Sequence, residues 1–218
     1  MRYLSLWFEL TALILCLINF RQFQSRAMKG FLLLLLVNNV VEWGNFFHLF
    51  IINNSNNWTA NIRNPFEFAF IGWFFKEITD NKRLHKRINL LTIFILVTSA
   101  LNFFFFQGFR YLNSYTIILG SCIGVYYIFE YVRETIEKAE IPDLISHPYF
   151  WVSVGYLFFY AGQSVLLSFF QYFLTTGNFE PFIPIWSIFI NLINFILYTC
   201  LSISFFCRTK QPGILYQG

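Results

Sequence analysis

Long apolar runs recur along this chain at nearly regular intervals, and the polar connections between them are short. A helix needs ~20 residues at ~1.5 Å each to cross the ~30 Å hydrocarbon core of a bilayer, and runs such as Gly30 to Ile52 and Tyr149 to Phe173 meet that length. Inside lipid every backbone N–H and C=O must be paired within the segment, so runs of this kind become helices. Of the 218 residues, 57% are hydrophobic and only 12% charged, against about 25% charged in soluble domains. The pattern predicts an all-α, polytopic membrane protein. It is one domain, residues 1–218, a bundle of seven transmembrane helices at about 3–20, 30–52, 66–79, 88–106, 112–132, 149–173 and 184–207.

The third segment is short and carries Glu67 and Lys76, with Pro65 placed to open its helix. Whether it spans decides the topology. If it does, the loop with Lys76, Lys82, Arg83, Lys86 and Arg87 faces the cytoplasm, and the inner side collects 12 Lys and Arg against 3 outside, namely Arg2, Arg63 and Arg110. The positive-inside rule then places the N-terminus out and the C-terminus in, as in a multi-pass protein of the cell (inner) membrane. The same placement explains the net charge of +4 as orientation, and argues against nucleic acid as a partner. Cys16, Cys122, Cys200 and Cys207 lie in or beside apolar runs without CxxC spacing and read as small hydrophobes. Asn53 and Asn57 begin Asn-x-Ser/Thr sequons in a loop expected outside.

The second run is the most polar of the clearly apolar ones. Within Val37 to Phe50, the residues Asn38, Glu42, Asn45 and Leu49 follow helical spacing and form one stripe, with His48 at its edge. Ionised groups at membrane depth cost roughly 2.5 to 3.5 kcal/mol each, so they face a protein interior or a wet cavity. The candidate ligand- or ion-binding residues are Glu9, Glu42, Trp43, Asn45, His48, Glu67, Tyr160, Gln163, Asn191 and Asn194. Two readings stay open for them: interhelical hydrogen bonds alone, or a polar pocket facing outward. Lys82, Arg83, Lys86 and Arg87 form a basic stretch that orients the chain and offers a docking surface for a partner or for anionic lipid. Glu130 is expected to pair with Arg133 or with that basic stretch.

No HExxH, GxSxG or P-loop is present, and Glu42 and His48 stand six residues apart on different helix faces, so neither a metal nor a cofactor is expected. The last run contains no lysine for a retinal Schiff base. The segments Asn64-Pro65-Phe66-Glu67-Phe68, Phe106-Gln107-Gly108-Phe109 and His147-Pro148-Tyr149-Phe150-Trp151, with Gly155 to Gly162 after them, resemble uncharacterised seven-helix integral membrane proteins of Bacteroidota-type bacteria. That resemblance spans most of the chain and carries no activity with it. In layout the chain is also similar to the seven-helix sensor regions of bacterial histidine kinases. The expected function is a non-enzymatic sensory or scaffold module that contacts the bilayer and signals to a cytoplasmic or membrane partner. The alternatives are a small transporter or channel subunit using the intramembrane glutamates, and thirdly an intramembrane enzyme.

Overall fold

Polar side chains at the ends of the apolar runs set where the helices start. Ser25 Oγ accepts from the Ala27 N–H at 3.1 Å to open the second helix. Asn81 Oδ1 accepts from the Arg83 and Leu84 N–H groups at 3.0 and 3.3 Å to open the fourth, each satisfying donors that a helix N-terminus leaves unpaired. The computed structural model describes residues 4–52, 55–109, 111–138, 144–177 and 182–207. Arg2, Asn53, Arg110, Arg208 and Lys210, which entered the charge and sequon arguments, lie outside the described residues.

Among the described residues the fold is all-helical, with seven helices: α1 (Leu4–Asn19), α2 (Arg26–Phe46), α3 (Asn57–Ile78), α4 (Lys82–Leu101), α5 (Ser114–Lys138), α6 (Pro148–Thr176) and α7 (Phe182–Phe206). A short π-helical stretch, Asn102–Phe106, continues α4. Six of the seven, all but α3, are long and apolar enough to cross a membrane. With 22 residues, α3 is about 33 Å long at the α-helical rise. Its length suffices and its composition does not.

Two predicted boundaries differ from the structure for identifiable reasons. The second helix stops at Phe46, not Ile52. His48 takes φ 61°, its N–H donates to the Asn45 carbonyl at 3.2 Å, and the Leu49 N–H donates to the Gly44 carbonyl at 2.9 Å. This is a Schellman ending with His48 as the left-handed residue. Gly44 permits it, because the Phe50 ring folds back onto the space a Cβ would fill. The third helix starts at Asn57 instead of Phe66 and contains Pro65 in its interior. A proline there leaves only the carbonyl four residues earlier, that of Asn61, without its helical donor. Asn61 is anchored in another way: its side chain donates to the Tyr111 carbonyl at 2.8 Å and accepts from the Asn113 N–H at 2.9 Å.

The bundle closes around Phe31 of α2. Its ring meets Phe70 and Phe74 of α3 at 5.1 and 5.2 Å, Phe205 of α7 at 6.2 Å and Tyr156 of α6 at 6.4 Å. Helix α3 packs against α2, α4 and α5, and its polar residues Asn61, Asn64 and Glu67 are buried among them. Helix α4 packs on α3 and α5 and leaves Leu90, Ile93, Phe94, Val97 and Leu101 exposed. Such outward apolar stripes are what contact with a lipid bilayer requires.

Candidate ionic centre

The centre is built outward from Arg63. One turn separates it from Glu67 on α3, so both side chains leave the same face. Arg63 Nη1 donates to Glu42 Oε1 of α2 in an ion pair. Glu9 of α1 is buried, at 3% exposure, and lies within electrostatic range of Glu42, Arg63 and Glu67. The Tyr198 hydroxyl of α7 faces Glu9, and the Tyr160 hydroxyl of α6 faces Glu67. Tyr156, also on α6, lies within range of both Glu67 and Glu9. Groups from α1, α2, α3 and α7 thus lie within electrostatic range of one guanidinium, and α6 joins them through the two acids.

Neighbours on α5 make room for these rings. The Phe68 ring occupies the space a side chain at Gly120 would need, and the Tyr160 ring does the same at Gly124. Phe68 and Tyr160 then pack against one another with ring centroids 6.0 Å apart and planes tilted by 37°. Small residues at helix contacts let backbones approach in this way.

Hydrogen bonding in the centre is incomplete. Glu9 Oε1, Arg63 Nε and the Tyr160 hydroxyl oxygen are buried without a partner of good geometry, as is Ser153 Oγ two turns before Tyr160 on α6. Three carboxylates surround one cation here. A charge removed from water is stabilised only by pairing and hydrogen bonds, and here the acids outnumber the cation that could pair with them.

Of the predicted residues, Glu9, Glu42, Glu67 and Tyr160 belong to this centre. The others are engaged elsewhere. Trp43 packs edge-on to Trp7 at 5.6 Å and stacks on Phe47 at 5.9 Å. Asn45 Nδ2 donates to Thr59 Oγ1 at 3.0 Å. Gln163 Oε1 accepts from Ser121 Oγ at 3.1 Å. Asn191 accepts from the Ser5 N–H at 3.2 Å and donates to the Ser187 carbonyl at 2.6 Å, and Asn194 donates to the Ile190 carbonyl at 2.8 Å. His48, expected within the membrane, is exposed in the turn that ends α2. Lys82, Arg83, Lys86 and Arg87 are exposed on the first two turns of α4, at the other end of α3 from Arg63. Glu130 pairs with Arg133 at 2.6 Å.

Arg63 is the member that reading the residues leaves away from the site, whereas Tyr156 and Tyr198 stand on the same polar stripes of α6 and α7 as Tyr160 and Asn194. Arg63 had been placed in an outer loop because Pro65 was read as the helix start. The available signal was the four-residue spacing of Arg63 and Glu67. Two apolar grooves of about 260 and 270 Å³ lie along α2 and α3; Arg63 borders the first together with Val37, Val41, Ile62 and Phe66, and the second, lined by Gly30, Leu33, Phe70 and Trp73, includes no member of the centre. Compared with known proteins, the chain matches no family model, no curated protein and no solved structure.

Proposed function

We propose that this chain is a non-enzymatic sensory or scaffold module of the cell membrane, with seven spans, the N-terminus outside and the C-terminus inside. The Arg63 centre is its responsive element. The observation that carries this reading is the excess of carboxylates, three from three different helices, around a single arginine. Any change in the charge of that centre alters the attraction among α1, α2 and α3, and a bundle held by discrete contacts responds by shifting between packings.

Helix α3 supports transmission to the cytoplasmic side. From Arg63 to its end at Ile78 it extends about 22 Å as a continuous helix. Beyond that end the chain is latched. Lys138 Nζ of α5 reaches Asp80 Oδ2 at 2.6 Å and Glu134 Oε1 at 2.7 Å, and His85 Nε2 meets the Thr79 carbonyl at 2.7 Å. The exposed basic face of α4, from Lys82 to Arg87, adjoins this latch and is the surface a partner would read.

The test uses the full chain in lipid nanodiscs with spin labels at two exposed sites, Arg83 and Glu137. Their distance distribution should change with pH in the parent protein and stop changing in Glu67→Gln; a distribution that ignores pH sinks the sensory reading. The same carboxylate excess supports a second reading, a small transporter. In proteoliposomes it predicts proton or alkali-cation flux that disappears in Glu67→Gln, and the sensory module predicts none.

A further inference from the structure

Inside the bundle, one positive and three negative groups leave two negative charges without a counter-ion. The Glu42 carboxylate holds the arginine directly and, with 35% of its side chain exposed, is the member nearest the surface. Glu9 and Glu67 are 3% and 6% exposed and, among the described residues, have no cation of their own. In a medium of low dielectric such charges are neutralised, by a bound cation or by protons.

The surroundings discriminate between these. An alkali or divalent ion among the three carboxylates would sit beside the Arg63 guanidinium and be repelled by it. Among the described residues no group of three or more His, Cys, Asp and Glu is arranged to hold a metal ion. Hydroxyls, by contrast, suit a carboxylic acid, since they donate to or accept from either of its forms. Glu9 is faced by Tyr198 from α7, Tyr156 from α6, Glu42 from α2, and Arg63 and Glu67 from α3. Glu67 is faced by Arg63 on its own helix, by Tyr160 and Tyr156 from α6, by Tyr198 from α7 and by Glu9 from α1. Two atoms in this set, Glu9 Oε1 and the oxygen of the fully buried Tyr160, lack partners, and each has capacity for one more hydrogen.

We infer that the centre binds two exchangeable protons, one on Glu9 and one on Glu67, so that Glu42 and Arg63 remain as its single ion pair. Each protonation forms an O–H bond at a carboxylate oxygen and breaks one in hydronium, releasing water; no other reactant takes part. The inference rests on the reading of this centre as the responsive element and gives that reading its ligand.

The experiment is infrared spectroscopy of the full chain in nanodiscs at neutral pH, with proton–deuteron exchange to identify the C=O stretch of protonated carboxyl groups. The parent protein should show this band. Glu9→Gln and Glu67→Gln should each remove about half of it, and the double variant all of it, at unchanged helix content by circular dichroism. Tyr160→Phe should shift the frequency of the Glu67 component. Absence of the band from the folded parent protein, or its survival in the double variant, overturns the inference. So does its loss on adding sodium or potassium chloride, which would assign the site to an alkali cation. A band present with unresponsive spin-label distances would leave the proton site standing and remove the sensory function, so the two failures are separable.

Discussion

Arg63 is the cation of the ion pair that joins α2 to α3 at the centre, and its replacement tests that role directly. Arg63→Met removes the cation and leaves the Glu42 carboxylate without its counter-ion, with an expected loss of about 1 to 3 kcal/mol, below that of a fully buried pair because Glu42 is partly exposed; denaturation of the reconstituted protein at neutral pH measures it. Arg63→Lys keeps the charge without the planar fork and should lose less. A second titratable residue acts outside the membrane segments. His147 precedes Pro148 at the start of α6, its ring lies 4.7 Å from that of Tyr149, and its Nδ1 is buried without a partner. Burial pushes its pKa below the usual value, so between the two values the unfolded segment binds more protons than the folded one. The contribution of this contact is complete above the ordinary histidine pKa, about 6.5, and is lost as pH falls through the lowered one. Protection factors for amide exchange at Phe150 and Trp151, taken relative to the intrinsic rate at each pH, should therefore fall on acidification, and His147→Gln should flatten the dependence. Glu9, Glu42, Glu67 and Tyr160 were recognisable from sequence because polar groups in apolar runs demand partners. Arg63 was not, because a proline opening a helix and a proline inside one leave the same trace, and only the packing of Asn57 to Asn64 against the bundle separates them.

At the level of helices, α3 and α5 set the geometry of the centre. A methyl group at Gly124 would overlap the Tyr160 ring, so Gly124→Ala should displace that ring from Glu67 and lower stability by about 1 to 3 kcal/mol, again by denaturation in the reconstituted state. The latch at the far end of α3 behaves differently. Asp80 is 88% exposed, and exposed pairs contribute about 1 kcal/mol or less. A double-mutant cycle on Asp80→Asn and Lys138→Gln should return a coupling below about 1 kcal/mol that shrinks in high salt. A larger, salt-insensitive value would show a rigid strut there instead of a latch. The end of α2 teaches a related lesson about reading runs. Hydropathy continues through Leu49, Phe50, Ile51 and Ile52, but Gly44 and the left-handed His48 turn the backbone. Apolar content signals where chain is withdrawn from water and is silent on where a helix closes; closure depends on one glycine and on the ring that fills its place.

For the molecule as a whole, the seven helices and the membrane character were plain from the recurring apolar runs, and the count of seven spans turns on α3. Reporter fusions settle it. A fusion after Asn81 should report cytoplasm, and one between Ser55 and Asn57 the outside; an external signal at Asn81 would show that α3 lies along or within the bundle without crossing. The composition of α3 also bears on how the protein is made. A segment entering the bilayer alone gains only about 0.3 to 0.6 kcal/mol per central Leu, Ile, Phe or Val and loses about 2.5 to 3.5 for a central Arg or Asp. Arg63, Glu67 and the buried asparagines place α3 on the wrong side of that balance, whereas α2 has the length and composition of a membrane span. The Glu42 and Arg63 contact joins these two consecutive helices, so α3 is expected to enter as a hairpin with α2, its arginine matched by the glutamate already in place. Synthesis thus imposes an order: truncation after Phe46 would release a lone α2 whose glutamate lacks its counter-ion, and membrane quality-control proteases would clear it.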